Sequence, residues 1–197
     1  MTPPIVATYR LQLRNGFGFE QARALLPYLK RLGISHLYLS PIFKARHGST
    51  HGYDCVDPRE IDPVLGGAAG FAELSAELAA QGMGLLLDIV PNHLGVGPEN
   101  PFWQAMLRDG PRSEAAAFFD VDWEAIAGGV PGKILLPFLG RPLEEVIAAG
   151  ELEQVDDPAP AIRYHQHIFP LAPGTETGTL EDVLAKQHWR LAWWRCG

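Results

Sequence analysis

Residues 84–93 read Gly-Leu-Leu-Leu-Asp-Ile-Val-Pro-Asn-His, and the reading of this stretch decides the fold. The short apolar run from Gly84 to Val90 fits a strand buried on both faces, as in a parallel sheet. It carries Asp88 and runs out on Asn92 and His93, so a carboxylate, an amide and an imidazole arrive at one end of that sheet. In an α/β barrel, that end is where the loops after the strands build a site.

Working outward, Phe71, Leu74 and Leu78 recur at helical spacing between Ala69 and Ala80, with Gly82 just past the end. Ile34 to Ser40 reads as a strand. Ala22, Leu25, Leu26, Leu29 and Leu32 predict a helix over 19–32, with Pro27 expected to kink it or to delay its first turn. In residues 5–13, Ala7, Tyr9, Leu11 and Leu13 alternate against Thr8, Arg10 and Gln12, the period of a strand. The order strand, helix, strand, helix, strand implies right-handed crossovers and a parallel α/β sheet. The stretch 41–68 between the second strand and the second helix is expected to be a long polar loop, and loops of that length are usually functional.

After His93 the rhythm breaks on repeated prolines and glycines. Extended segments are expected at 134–139 and 162–169, with helices over 142–149 and 180–195. No strand–helix alternation survives, so residues 94–197 read as an irregular, mostly helical insertion after the first unit, residues 1–93.

Composition limits the function. A 47% apolar fraction with 20% charge fits a globular chain that buries a core. The net charge of −7, without a Lys/Arg cluster, argues against nucleic acid as a partner. No leader-like segment opens the sequence and no window is apolar enough to span a membrane, which leads to an expectation of a cytoplasmic protein. Two cysteines, Cys55 and Cys196, are too few for a disulfide framework and are expected to stay reduced.

Three groups of residues could carry chemistry. Asp88, Asn92 and His93 could orient a polyhydroxylated ligand, or His93 could cap local backbone while Asp88 pairs with a core arginine. Ser49-Thr50-His51-Gly52-Tyr53-Asp54 offers a tyrosine face against which a sugar ring could lie, although an ordinary turn with a half-buried tyrosine has the same pattern. His47, His51 and Asp54 admit a metal reading that lacks supporting ligands. Of the five tryptophans, Trp193 and Trp194 are expected in the core. His165 and His167, two apart on an expected strand, should share a face. Asp120, Asp122 and Glu124 are read as surface or structural.

Taken together, DIVPNH at 88–93, HGYD at 51–54 and LYLSPIFKA at 37–45 resemble the α-amylase family of glycoside hydrolases and transglycosylases. ATYRLQL at 7–13, SHLYLSPIFKARHGSTHGYD at 35–54, LLPFLGRP at 135–142 and QHWRLAWWR at 187–195 resemble one branch of it more closely. In that branch the reducing-end α-1,4 linkage of maltooligosaccharides is rearranged to α,α-1,1. Trp189 and Trp193 depart from it, standing where other aromatics are expected. The resemblance implies a (β/α)8 barrel, of which this chain would hold the first three strands and two helices. It implies that Tyr53 stacks on a glucose, that His93 hydrogen-bonds its hydroxyls, that Asn92 shapes the loop, and that Asp88 anchors the network with Asp54 and His51 in support. It implies no metal and no cofactor, an α-1,4-glucan as substrate, and a catalytic nucleophile and acid beyond Gly197. A hydrolase acting on α-glucans and a non-catalytic glucan-binding module remain the alternatives.

Overall fold

A computed structural model describes residues 4–124 and 131–196. The chain divides into two compact units, Met1–Glu99 and Asn100–Gly197.

In the first unit, β1 (Thr8–Leu11), β2 (His36–Leu39) and β5 (Gly84–Leu87) form a parallel sheet in the order β1-β2-β5. The register sets Arg10 opposite Tyr38 and Tyr38 opposite Leu86. The crossovers carry helices α1 (Phe19–Arg31) and α2 (Gly67–Ala80). Strand residues of odd number face these helices: Leu11, Leu37 and Leu39 are buried with Ala22, Leu26 and Leu29 of α1 and with Leu74 and Leu78 of α2. Residues of even number lie on the other face of the sheet. Helix α1 runs on across Pro27, which sits on its exposed side, where water can satisfy the carbonyl that loses its partner.

The stretch 41–68 is not one long loop. It holds the antiparallel hairpin of β3 (Phe43–Ala45) and β4 (Cys55–Ile61), the excursion 46–54 lying between them. Pro58 lies within β4, where the two-stranded pairing with β3 shifts register between Asp57 and Ile61, and edge strands and bulges tolerate a residue that donates no ladder hydrogen bond.

Gly84 is required by packing. A β-carbon there would lie 2.2 Å from two ring atoms of His36, whose side chain fills the even face at 2% exposure. Gly84→Ala should therefore destabilise the first unit by about 1–3 kcal/mol through overpacking, read as a lowered urea midpoint, and an unchanged midpoint would contradict this packing.

The second unit corrects several expectations. It is not mostly helical: among its described residues, five strands accompany three helices, α3 (Pro101–Asp109), α4 (Leu143–Ala148) and α5 (Leu180–Ala185). Strand β6 (Ile134–Leu139) pairs in parallel with β10 (Trp189–Trp193). Strands β7 (Leu152–Val155), β8 (Ala161–Tyr164) and β9 (His167–Pro170) form an antiparallel meander. The helix expected over 180–195 stops at Ala185. Buried Gln187 ties off its end, donating to the Val183 carbonyl at 2.6 Å and accepting from the Ala172 amide at 2.7 Å. His165 and His167 share no strand, since His165 sits at φ +52° in the turn before β9. Trp194 is exposed and Trp193 partly so, whereas Trp189 is completely buried. No helix among the described residues is long and apolar enough to cross a membrane.

Candidate functional site

The even face of the β1-β2-β5 sheet ends in a polar cluster. Asp88 follows β5 directly, its amide bonded to the Leu39 carbonyl at 2.9 Å. Arg10 lies two strands away on β1. Neighbouring strands are about 4.8 Å apart, so only a long side chain can cross β2, and the Arg10 guanidinium does so 5.1 Å above the Tyr38 ring. Its Nη2 donates to Asp88 Oδ2 at 2.9 Å and to the Tyr53 hydroxyl at 2.8 Å. The Tyr53 hydroxyl in turn donates to the same Asp88 oxygen at 2.5 Å.

Tyr53 reaches this place from the excursion between β3 and β4, whose base is closed by Arg46 N donating to Asp54 O at 3.1 Å. Within the excursion Ser49 Oγ donates to Asp54 Oδ1 at 2.5 Å and accepts from Gly52 N at 3.0 Å. The Tyr53 amide donates to His51 Nδ1 at 3.0 Å, and the two rings stack at 6.0 Å between centroids. Asp54 Oδ1 also lies 3.8 Å from His51 Nδ1. Gln12 bridges the strand and the excursion, accepting from Arg10 at 3.2 Å and donating to the His51 carbonyl at 3.4 Å.

The loop after Asp88 is stapled to the same region. Gly95 N donates to the Cys55 carbonyl at 2.6 Å, and His93 Nε2 lies 3.0 Å from the Tyr53 carbonyl. A carbonyl only accepts, so Nε2 of the exposed His93 ring donates this hydrogen bond and Nδ1 is left on the other side of the ring.

These contacts set the local ionisation. The hydrogen bond from Tyr53, reinforced by Arg10, holds the Asp88 carboxyl below the usual carboxylate range against the opposing effect of burial. The Asp88 carboxylate in turn raises the Tyr53 phenol and the Arg10 guanidinium above their ordinary values. At neutral pH the cluster therefore holds an anion, a cation and a neutral phenol, and half-buried Tyr53 keeps a ring face available for packing.

Of the residues singled out from the sequence, the structure gathers Tyr53, His93, Asp88, His51 and Asp54 into one network. Asn92 is exposed between Asp88 and His93 and joins none of these contacts among the described residues. Arg10 and Tyr38 were missed. Their signal was present, because the alternation in residues 7–13 put Arg10 on the face opposite Leu11, and a cation on a sheet face needs an anion nearby. Among the described residues, no group of three or more His, Cys, Asp or Glu side chains could hold a metal ion.

Comparison with known proteins identifies the family of the chain. Residues 23–133 match the model of the alpha-amylase catalytic domain. The chain belongs to the alpha-amylase family. Within that family, it is 47% identical over its whole length to a putative maltooligosyl trehalose synthase of Mycobacterium tuberculosis, of which it covers 25%. The solved maltooligosyltrehalose synthase of Arthrobacter ramosus superposes with a TM-score of 0.85 at 43% identity, over 98% of this chain and 24% of that one. A further crystal structure of a maltooligosyl trehalose synthase gives a TM-score of 0.88 at 39% identity, over 97% and 26%. This alpha-amylase family chain thus spans about a quarter of the length of the relatives it matches.

Proposed function

We propose that this chain supplies part of the active site of an enzyme that converts the reducing-end α-1,4 linkage of maltooligosaccharides into an α,α-1,1 linkage. In this reading β1, β2 and β5 are the first three strands of a (β/α)8 barrel. Residues 1–93 belong to that barrel and 94–197 are an insertion after its third strand. The observation that carries the reading is the cluster of Arg10, Asp88, Tyr53 and His93 at the carboxyl ends of parallel strands, where barrel enzymes place their chemistry. Extended similarity to synthases of this type supports the narrower choice of reaction.

The Tyr53 ring packs against a glucose face, and His93 Nδ1 meets its hydroxyls. Asp88, with Arg10, holds the Tyr53 hydroxyl in place; His51 and Asp54 brace the excursion, and Asn92 shapes the loop. Retaining transfer needs a nucleophilic carboxylate and an acid about 5 Å apart, and we assign neither to this chain, which is therefore inactive alone. The covalent glycosyl–enzyme is attacked by the anomeric hydroxyl of the released glucose, held and turned in the site, instead of by water. The same reading places the protein in the cytoplasm, and its two free cysteines suit a reducing compartment.

The test is product analysis with maltopentaose, using the protein that spans the length of these relatives. The reducing-end signal should disappear without release of glucose as the main product. Glucose and maltose as main products would replace the mutase with a hydrolase. The 197-residue chain by itself should show no heat of binding to maltooligosaccharides, because one wall of a cleft does not desolvate a sugar. Stoichiometric binding abolished by Tyr53→Ala would instead favour a glucan-binding module.

A further inference from the structure

Arg14, just beyond β1, is tightly constrained. Its backbone adopts φ +100°, a left-handed value that a side chain rarely takes, and Asn15 follows at +54°. The side chain is buried rather than solvated. Its Nη1 donates to Asp62 Oδ2 at 2.8 Å, with the two side chains only 3% and 5% exposed. Nη2 reaches the Phe43 carbonyl at 3.4 Å, and Nε is buried without a partner. Asp62 is satisfied from three sides, since it also accepts from the amides of Ala45 at 3.1 Å and Val64 at 3.0 Å.

The guanidinium lies against the backbone of Gly52. A β-carbon on Gly52 would meet Arg14 Nε at 2.8 Å, with Nη2 and the Pro41 carbonyl oxygen each at 3.0 Å, and Gly52 itself has φ +82°. One buried pair therefore touches the end of β1, strand β3, the turn after β4 and the residue preceding Tyr53. A buried ion pair is weak as a source of stability, because well-packed apolar residues of similar volume often do as well or better. Its presence here, with one nitrogen unsatisfied and a strained backbone, fits a positional role.

We infer that Arg14 and Asp62 are positioning residues, a buried strut that fixes the backbone at Gly52 and so aims the Tyr53 hydroxyl at Asp88. The role in catalysis rests on the function proposed above, whereas the geometric role does not. The strut does not touch the sugar. It acts by setting where the Tyr53 ring stands before any ligand arrives, which lowers the cost of ordering it on binding.

The test separates position from stability. In the 197-residue chain labelled with [13C]tyrosine, the Tyr53 resonance, assigned with Tyr53→Phe, should titrate above the ordinary tyrosine range while the hydroxyl rests on Asp88. The double variant Arg14→Met/Asp62→Leu replaces the pair by apolar groups. It should fold with a urea midpoint lowered by the Ala45 and Val64 amides that lose their acceptor, and Tyr53 should return to ordinary titration. Arg14→Lys, which keeps the charge, should restore part of the shift. Gly52→Ala, with Arg14 and Asp62 intact, should displace Tyr53 in the same way. If the double variant folds and Tyr53 titrates as before, the strut is overturned. If the double variant fails to fold, an unmoved Tyr53 in Gly52→Ala overturns it equally. In the protein spanning the length of its relatives, the double variant should lose roughly tenfold in kcat/KM on maltopentaose. A displaced Tyr53 with undiminished turnover would leave the strut standing and sink the role of Tyr53 in the proposed function.

Discussion

Asp88→Ala should lower kcat/KM on maltopentaose by about a hundredfold in the protein that spans the length of its relatives, with the fold intact. One carboxylate oxygen takes hydrogen bonds from both Tyr53 and Arg10. Hydrogen bonds to a charged group contribute about 1.5–3 kcal/mol each. Arg10 is 36% exposed and Asp88 18%, so solvent screening reduces the ionic share. A net loss near 3 kcal/mol remains, and each 1.4 kcal/mol is a factor of ten in rate. The fold survives because Asp88 lies past the end of β5 and contributes only its amide to the sheet. Turnover within threefold of the native value would remove Asp88 from the site.

The same residue fixes the pH window. The folded-state pKa of Asp88 is depressed, so its contribution is complete above the ordinary aspartate value and fades as pH falls through the depressed one. Tyr53 is raised, so its contribution holds below the ordinary tyrosine value and is lost as pH rises through the raised one. The cluster should therefore be intact from about pH 5 to pH 9. In Asp88→Asn the charge that raises Tyr53 is gone, and the phenol should titrate closer to ordinary tyrosine by [13C]tyrosine NMR. A Tyr53 titration unchanged in that variant would show that Asp88 is not its partner.

Much of this site was legible before any coordinates. Alternation in residues 7–13 and the apolar run into Asp88 place two strand ends on one sheet face, and the tyrosine of 51–54 is recognisable as a loop residue. What period two does not carry is the order of strands. Arg10 meets Asp88 only because β1 and β5 flank β2 and the arginine is long enough to cross Tyr38. The hairpin within 41–68 was hidden because β3 is three residues long and β4 contains a proline. In the second unit, Leu184, His188 and Leu191 satisfy a helical spacing while Trp189, Leu191 and Trp193 satisfy a strand's. Pairing with β6 decides between them, and that pairing joins segments some 50 residues apart. Local pattern loses wherever a distant partner completes the hydrogen bonding.

Trp189→Ala should cost the second unit about 3–5 kcal/mol, the range for removing a large aromatic side chain from a core. Trp189 is completely buried at the start of β10 and belongs to the core with Ile162, Phe169, Val146 and Val183. Its ring sits 5.4 Å from that of Phe169, and its Nε1 donates to the Pro170 carbonyl at 3.0 Å. It therefore joins the parallel β6-β10 pair to the β7-β8-β9 meander through packing and a hydrogen bond at once. Trp189→Phe separates the two contributions. It keeps an aromatic body and loses the donor, leaving a carbonyl unpartnered at a cost of about 1–3 kcal/mol. Urea denaturation followed by circular dichroism should show the transition of the second unit moving to lower denaturant in both variants, further in alanine. Since the two units need not unfold together, the transition of the first should stay in place. Equal losses in the two variants would mean that the hydrogen bond, and not the buried ring, holds β10 to the meander.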